Sequence, residues 1–113
     1  MAGRRALELS KGTRPIFAVG LAGNLWVGGR HREAAEVAAV ANRGGRLNPD
    51  LLLIEAASYQ LLGLERRART VMADFLRDWP QATVTELLPR HPYRDHATAE
   101  RWFEALREAG LPT

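Results

Sequence analysis

His91, Asp95 and His96 are the side chains whose types most invite a chemical reading, since imidazole and carboxylate groups bind zinc and three would suffice for an open site. Their spacing matches no established ligand pattern, and Pro92 together with a helix cap at Asp95 already accounts for the segment. No metal site is expected. His31 falls in a turn and reads as a packing residue rather than an acid–base group. Neither Ser10 nor Ser58 is accompanied by a His that a carboxylate orients, so no nucleophile–base pair can be argued. Gly20-Leu21-Ala22-Gly23 superficially suggests a phosphate loop, but such a loop follows a strand and opens a helix, whereas these glycines fall inside one. They are expected to let helices pack closely. Arg66, Arg67 and Arg69, with Glu65 and Asp74 nearby, read as a solvated helix face with intrahelical ion pairs worth a few tenths of a kcal/mol each. The sequence therefore names no catalytic, cofactor-binding or metal-ligating residue, and the chain reads as a non-enzyme without a cofactor.

Composition bounds what remains. The chain has 113 residues, enough for one small core, and no Cys, which suits a reducing, cytoplasmic setting. Its formal charge is +3, distributed unevenly. Residues 1 to 46 carry eight basic and three acidic side chains, and the remainder eight and ten. A basic first half could attract anions, but the arginines are scattered rather than massed, which argues against nucleic acid as the leading partner. Ile16 to Val27 carries no charge and follows Arg4, Arg5, Lys11 and Arg14, imitating a signal peptide. It is too short to span a bilayer and contains Asn24, so it reads as a buried helix, with no membrane partner.

The elements come from a repeat. Gly29-Arg30-His31-Arg32-Glu33-Ala34 is echoed by Gly63-Leu64-Glu65-Arg66-Arg67-Ala68 at a step of thirty-four residues, and the same step relates Pro15 to Pro49, Ala22 to Ala56, Leu25 to Tyr59, Ala38 to Met72 and Ala41 to Phe75. This is the mark of stacked helix–turn–helix units. Residues 1–12 read as a lead-in. Thr13 or Arg14 caps a helix from Pro15 to about Val27, and Gly28-Gly29 turns the chain. A second helix covers about Arg32 to Asn42 with an Ala-rich stripe, ended by Gly44-Gly45. Asn48-Pro49-Asp50 is the clearest start signal, opening a third helix that runs to about Leu62. A fourth runs from Leu64 to about Asp78, and Trp79-Pro80 closes it. Thr83 to Leu88 is a short helix or turn broken by Pro89 and Pro92. Asp95 caps a last amphipathic helix from about His96 to Ala109, stopped by Gly110 and Pro112. No strand pattern competes.

The step and residue types resemble the tetratricopeptide repeat. Leu52, Ala56, Tyr59, Ala68, Met72, Phe75 and Pro80 match that family's positions in the second copy; Ala18, Leu21, Ala22, Leu25, Ala34, Ala38 and Ala41 match in the first, where Arg46 replaces the closing Pro. The resemblance implies a concave groove lined by first helices, here Val19, Gly23, Trp26, Leu53, Ala57 and Gln60. That set is mostly apolar and lacks the Lys and Asn of family members that clamp a peptide carboxylate. It suits an amphipathic helix or an apolar peptide, with Trp26 as anchor; the alternative is that Trp26 packs under the N-terminal segment or the final helix. The tail, Pro92-Tyr93-Arg94-Asp95, then Glu100-Arg101, then Leu106 to Pro112, resembles the end of bacterial signalling proteins similar to class III adenylate or guanylate cyclases. Nothing resembles their catalytic domain.

The expected fold is all-α: two tetratricopeptide-like hairpins forming a short α-solenoid, residues 15–48 and 49–82 within a 13–82 repeat region, then a short helix and capping helix over 83–113. Two repeats seldom bury both faces of a stack, so the first helix is expected to be covered by a neighbouring domain, a partner or a second copy, with Ile16, Phe17, Val19 and Trp26 as self-association candidates. The expected function is a protein-interaction scaffold or regulatory module that binds a helical or apolar peptide, with the tail of a larger bacterial signalling protein as its expected setting. The alternatives are a basic anion- or nucleic-acid-binding module and a small homo-oligomerising helical protein.

Overall fold

In a computed structural model, which describes residues 15–43, 48–87 and 95–113, the chain is all-α, with no strand among the described residues. Among them the helices are α1 Pro15–Val27, α2 His31–Arg43, α3 Pro49–Leu61, α4 Glu65–Asp78, the single turn α5 Val84–Leu87 and α6 His96–Glu108. The expected lead-in over 1–12, the caps at Thr13 or Arg14, Gly44-Gly45, Arg46, and the segment from Leu88 to Arg94 lie outside the described residues.

The clearest starts and stops have local causes. Asn48 Oδ1 accepts from the Leu51 N–H at 3.1 Å with Pro49 in the first turn, so α3 opens with one orphan amide satisfied and another absent. Asp95 caps α6 twice over, accepting from the Thr98 N–H at 2.9 Å and its hydroxyl at 2.8 Å. Those bonds hold the Asp95 carboxyl below its ordinary pKa. The two helix–turn–helix units close with the same turn. Gly29 (φ 81°) donates to Trp26 O at 3.1 Å while Arg30 donates to Leu25 O at 2.9 Å; Gly63 (φ 80°) donates to Gln60 O at 3.1 Å while Leu64 donates to Tyr59 O at 2.9 Å. Both are Schellman caps, which need a left-handed residue and so select Gly. The sequence repeat is thus a repeat of backbone geometry at the turn.

The core centres on α3, whose residues Leu51 through Ser58 are all buried. A helix that is apolar all round must be surrounded, and α3 packs against α1, α2, α4 and α6. α2 offers small side chains, Ala34, Ala35, Val37, Ala38 and Ala39; α4 contributes Ala68, Val71, Met72 and Phe75. α6 buries Ala99, Trp102, Phe103, Ala105 and Leu106. The chain end is then tied back to α5. The N–H groups of Val84 and Thr85 donate to Pro112 O at 2.8 Å and Thr113 O at 3.3 Å, with Leu111 buried alongside.

The expectation that Gly20 and Gly23 serve close helix packing is corrected. A Cβ at either position would meet nothing within 4 Å. The close approach is made instead by Ala18 and Ala22, both fully buried. The two kinds of glycine should therefore answer oppositely to one substitution. Gly29→Ala and Gly63→Ala should each cost about 1–2 kcal/mol by forcing Cβ into the left-handed region. Gly20→Ala should stabilise by about 0.5–1 kcal/mol through helix propensity. Urea unfolding of the three variants measures both signs, and a destabilising Gly20→Ala would restore the packing role.

Candidate functional site

α1 and α3 present Val19, Gly23 and Trp26 from one helix and Leu53, Ala57 and Gln60 from the other. The structure brings this face together with α6. Trp26, only 2% exposed, meets Trp102 edge-on with ring centroids 5.1 Å apart. Such a T-shaped pair adds about 0.5–1.5 kcal/mol to the area it buries. Leu53 and Ala57 are buried, and Gln60 Nε2 donates to Glu108 Oε2 at 3.2 Å. Val19 and Gly23 are half-buried, and Phe17 points outward. The side chain of Ile16 lies outside what is described. Of the two expectations for Trp26, the structure shows it packed under the final helix.

The amphipathic pattern of α6 explains why it lies there. Trp102, Phe103, Leu106 and Ala109 recur at helical spacing on one face and are buried, while Arg101, Glu104, Arg107 and Glu108 remain exposed on the other. His31 borders the seat. Its ring lies 5.6 Å from that of Trp26, and burial, then the nearby Arg101 charge, hold its pKa below the ordinary histidine value. A hydrogen bond to the Trp26 backbone works the other way without prevailing. His31 thus contributes stability that is present above the ordinary histidine value and lost as pH falls through its lowered one.

A second polar cluster was not foreseen from the sequence. Asn42 at the end of α2 donates through Nδ2 to Glu55 Oε1 of α3 at 3.1 Å, both side chains being buried, and accepts from the Asn48 N–H at 3.4 Å. Tyr59 lies one turn beyond Glu55. Burial raises the Glu55 pKa, and burial together with the Glu55 charge pushes the Tyr59 hydroxyl up to about 12. The only available signal was a carboxylate inside the run Leu51-Leu52-Leu53-Ile54-Glu55-Ala56-Ala57, where no exposed helix face exists for it. Chemically the cluster is closed: Glu55 is engaged by Asn42, and Ser58 Oγ donates to Ile54 O at 2.7 Å within its own helix.

The remaining candidates are dispersed. His96 pairs with Glu100 at 2.8 Å on α6, Asp95 is the helix cap, and His91 lies outside the described residues. The expected pairing of Arg66, Arg67 and Arg69 with Glu65 and Asp74 is corrected: Asp74 pairs with Arg77 at 3.0 Å, and Arg67 lies over the Tyr59 ring at 5.9 Å. One turn separates Asp74 from Arg77, whereas Arg67 is drawn across to the α3 face. Among the described residues no helix is long and apolar enough to cross a membrane. Comparison with protein-family models, with curated proteins and with solved structures finds no match.

The Glu55 cluster yields a pH test. Because its pKa is raised on folding, the folded protein holds the Glu55 proton more tightly than the unfolded chain does. Wild type therefore loses stability from this group as pH rises from the ordinary glutamate value through the raised one. Glu55→Gln keeps an acceptor for Asn42 and removes that loss. It should equal or exceed wild type at neutral pH, with the advantage fading in acid. A difference that stays constant across the urea-unfolding pH series would show that Glu55 ionises in the fold as it does in the unfolded chain.

Proposed function

We propose that the chain is a tetratricopeptide-type protein-interaction module, built as two stacked hairpins with a capping helix. Its α1–α3 face is a groove for an amphipathic helix or apolar peptide. The observation that supports this reading is that the face already holds an amphipathic helix, α6, through an aromatic anchor and a peripheral polar contact. Helix-in-groove recognition uses those parts. In this reading α6 occupies the groove in cis, and a partner helix with a larger or better-shaped Trp-Phe-Leu face takes its place. In the same reading the module is the tail of a larger bacterial signalling protein, working in the cytoplasm and without a reaction of its own, as the resemblance of its C-terminal segment suggests.

A second reading, self-association, is favoured by Phe17, 65% exposed on the outward side of α1. An aromatic ring left in water on an otherwise apolar helix is a surface a second copy would cover. Light scattering across concentration, with Phe17→Ser as control, distinguishes it from a monomeric module.

The groove itself is tested by locking it. The chain has no Cys, so Gln60→Cys with Glu108→Cys places a single engineered pair across the Gln60–Glu108 contact. A displayed library of helical peptides should yield amphipathic binders to the reduced form, and these should lose at least tenfold in affinity for the oxidised, α6-locked form. Binders indifferent to the lock, or no enrichment of amphipathic sequences, would remove the groove from consideration.

A further inference from the structure

A cavity of about 410 Å³ opens where α3 begins, α4 ends and α5 and α6 pass. That volume lies in the range of small-molecule sites, roughly 300–1,000 Å³. Neither Gln60 nor Glu108 lines it, although Leu53 and Trp102 are shared with the α1–α3 face. Its wall is aromatic: Phe75 and Trp79 stack with centroids 5.3 Å apart and planes 24° from parallel, with Trp102 and Phe103 also lining the space. Its rim carries Asp50, Asp78 and Glu86, all exposed and none in an ion pair with a described residue. Gln81 is the other polar side chain among the described lining residues, which include no Lys, Arg or His.

The chemistry these walls accept is narrow. Three carboxylates that no described residue neutralises select a cation. No three acidic or imidazole groups among the described residues converge tightly enough to hold a metal ion, so an extended organic cation fits better than a point charge. An ammonium is strongly hydrated and would lose that hydration against indole and phenyl faces. A guanidinium is planar, weakly hydrated, stacks on aromatic rings and pairs with carboxylates through its fork. Helix ends bias where it would sit. Asp50 lies in the first turn of α3, whose positive end offsets its charge, whereas Asp78 closes α4, whose negative end adds to it. The cation therefore belongs on the Asp78–Glu86 side, over the Trp79 ring.

We infer that this cavity is a binding site for an alkylguanidinium ligand, held between the Phe75–Trp79 stack and the carboxylates of Asp78 and Glu86. The test is calorimetric titration of the full chain with n-butylguanidinium and with n-butylurea, which has the same shape and no charge. Saturable binding of the first and at least tenfold weaker binding of the second are expected. Trp79→Ala and the double variant Asp78→Asn, Glu86→Gln alter exposed or half-exposed side chains and should keep the fold, which circular dichroism checks. Each should weaken n-butylguanidinium by about tenfold. A capped Gly-Arg-Gly peptide separates the two sources of the group: tighter binding than n-butylguanidinium assigns an arginine side chain of a polypeptide, and weaker binding a free small molecule. Equal binding of guanidine and urea, no binding at all, or variants that bind like wild type would overturn the inference. So would binding that appears only after Arg90→Ala with Arg94→Ala, since the chain would then be its own ligand.

Discussion

The structure depends on enclosing α3. With eight consecutive buried positions, Leu51 through Ser58, this helix has no face it can leave in water, and each Leu or Ile it covers stabilises the fold by about 1.5–3 kcal/mol relative to exposure. α2 and α4 flank it and α1 lies beside it, but that leaves the side bearing Leu53 and Ala57. α6 covers it. The position of the C-terminal helix thus follows from the same demand that orders the hairpins. It also sets the terms for any partner. A helix arriving in trans loses translational and rotational freedom, estimated at about 4–15 kcal/mol, that α6 does not lose because it is tethered. Only a partner with a larger or better-shaped apolar face, or one held nearby by a tether of its own, competes successfully.

The polar interior fixes the register of α2 on α3. An all-apolar contact between α2 and α3 tolerates sliding by a turn, since Ala repeats along α2. Asn42 and Glu55 do not tolerate it, because a shift leaves a buried amide and a buried carboxyl without partners, at about 1–3 kcal/mol or more each. Asn42 also accepts from the Asn48 amide, so one side chain joins the end of α2, the start of α3 and the α3 interior. The raised pKa of Glu55 is the cost of burying its carboxyl in that arrangement.

How much of this was legible follows from what each signal encodes. Caps and turns are local chemistry, so Asn48-Pro49, Asp95, Gly29 and Gly63 marked their helix ends in the sequence, and α1, α3 and α6 begin where Pro15, Pro49 and His96 indicated. The all-α class followed from the same signals. The seat of α6 was not encoded in that way. A repeat relates α1 to α3 and α2 to α4, but α6 has no counterpart, and an amphipathic pattern says which face is apolar without saying what it meets. Trp26 could be read as an anchor for a guest or as a core residue because its type suits both. Glu55 was passed over because periodicity weighs the apolar residues around it, and its partner is thirteen positions away. Gly20 and Gly23 misled because a small residue in a helix marks close packing only when a neighbour lies over it, and here none does.

The repeat register exposes one further imbalance. Phe17 corresponds to Leu51 at the thirty-four-residue step, yet Phe17 is 65% exposed and Leu51 1%. The two helices are alike in composition, each apolar around its circumference, so the difference lies in their neighbours. α3 follows α2 and is flanked by it; α1 has no such predecessor among the described residues. Val27 and Leu61 are matched by the same step and are both exposed, at 46% and 42%, because both end a helix beside a Gly turn that no neighbour covers. The exposure of Phe17 therefore does not reflect its place along the helix, which Leu51 shares. It reflects the neighbours of each helix among the described residues, where α2 flanks α3 and no helix flanks α1 on that side.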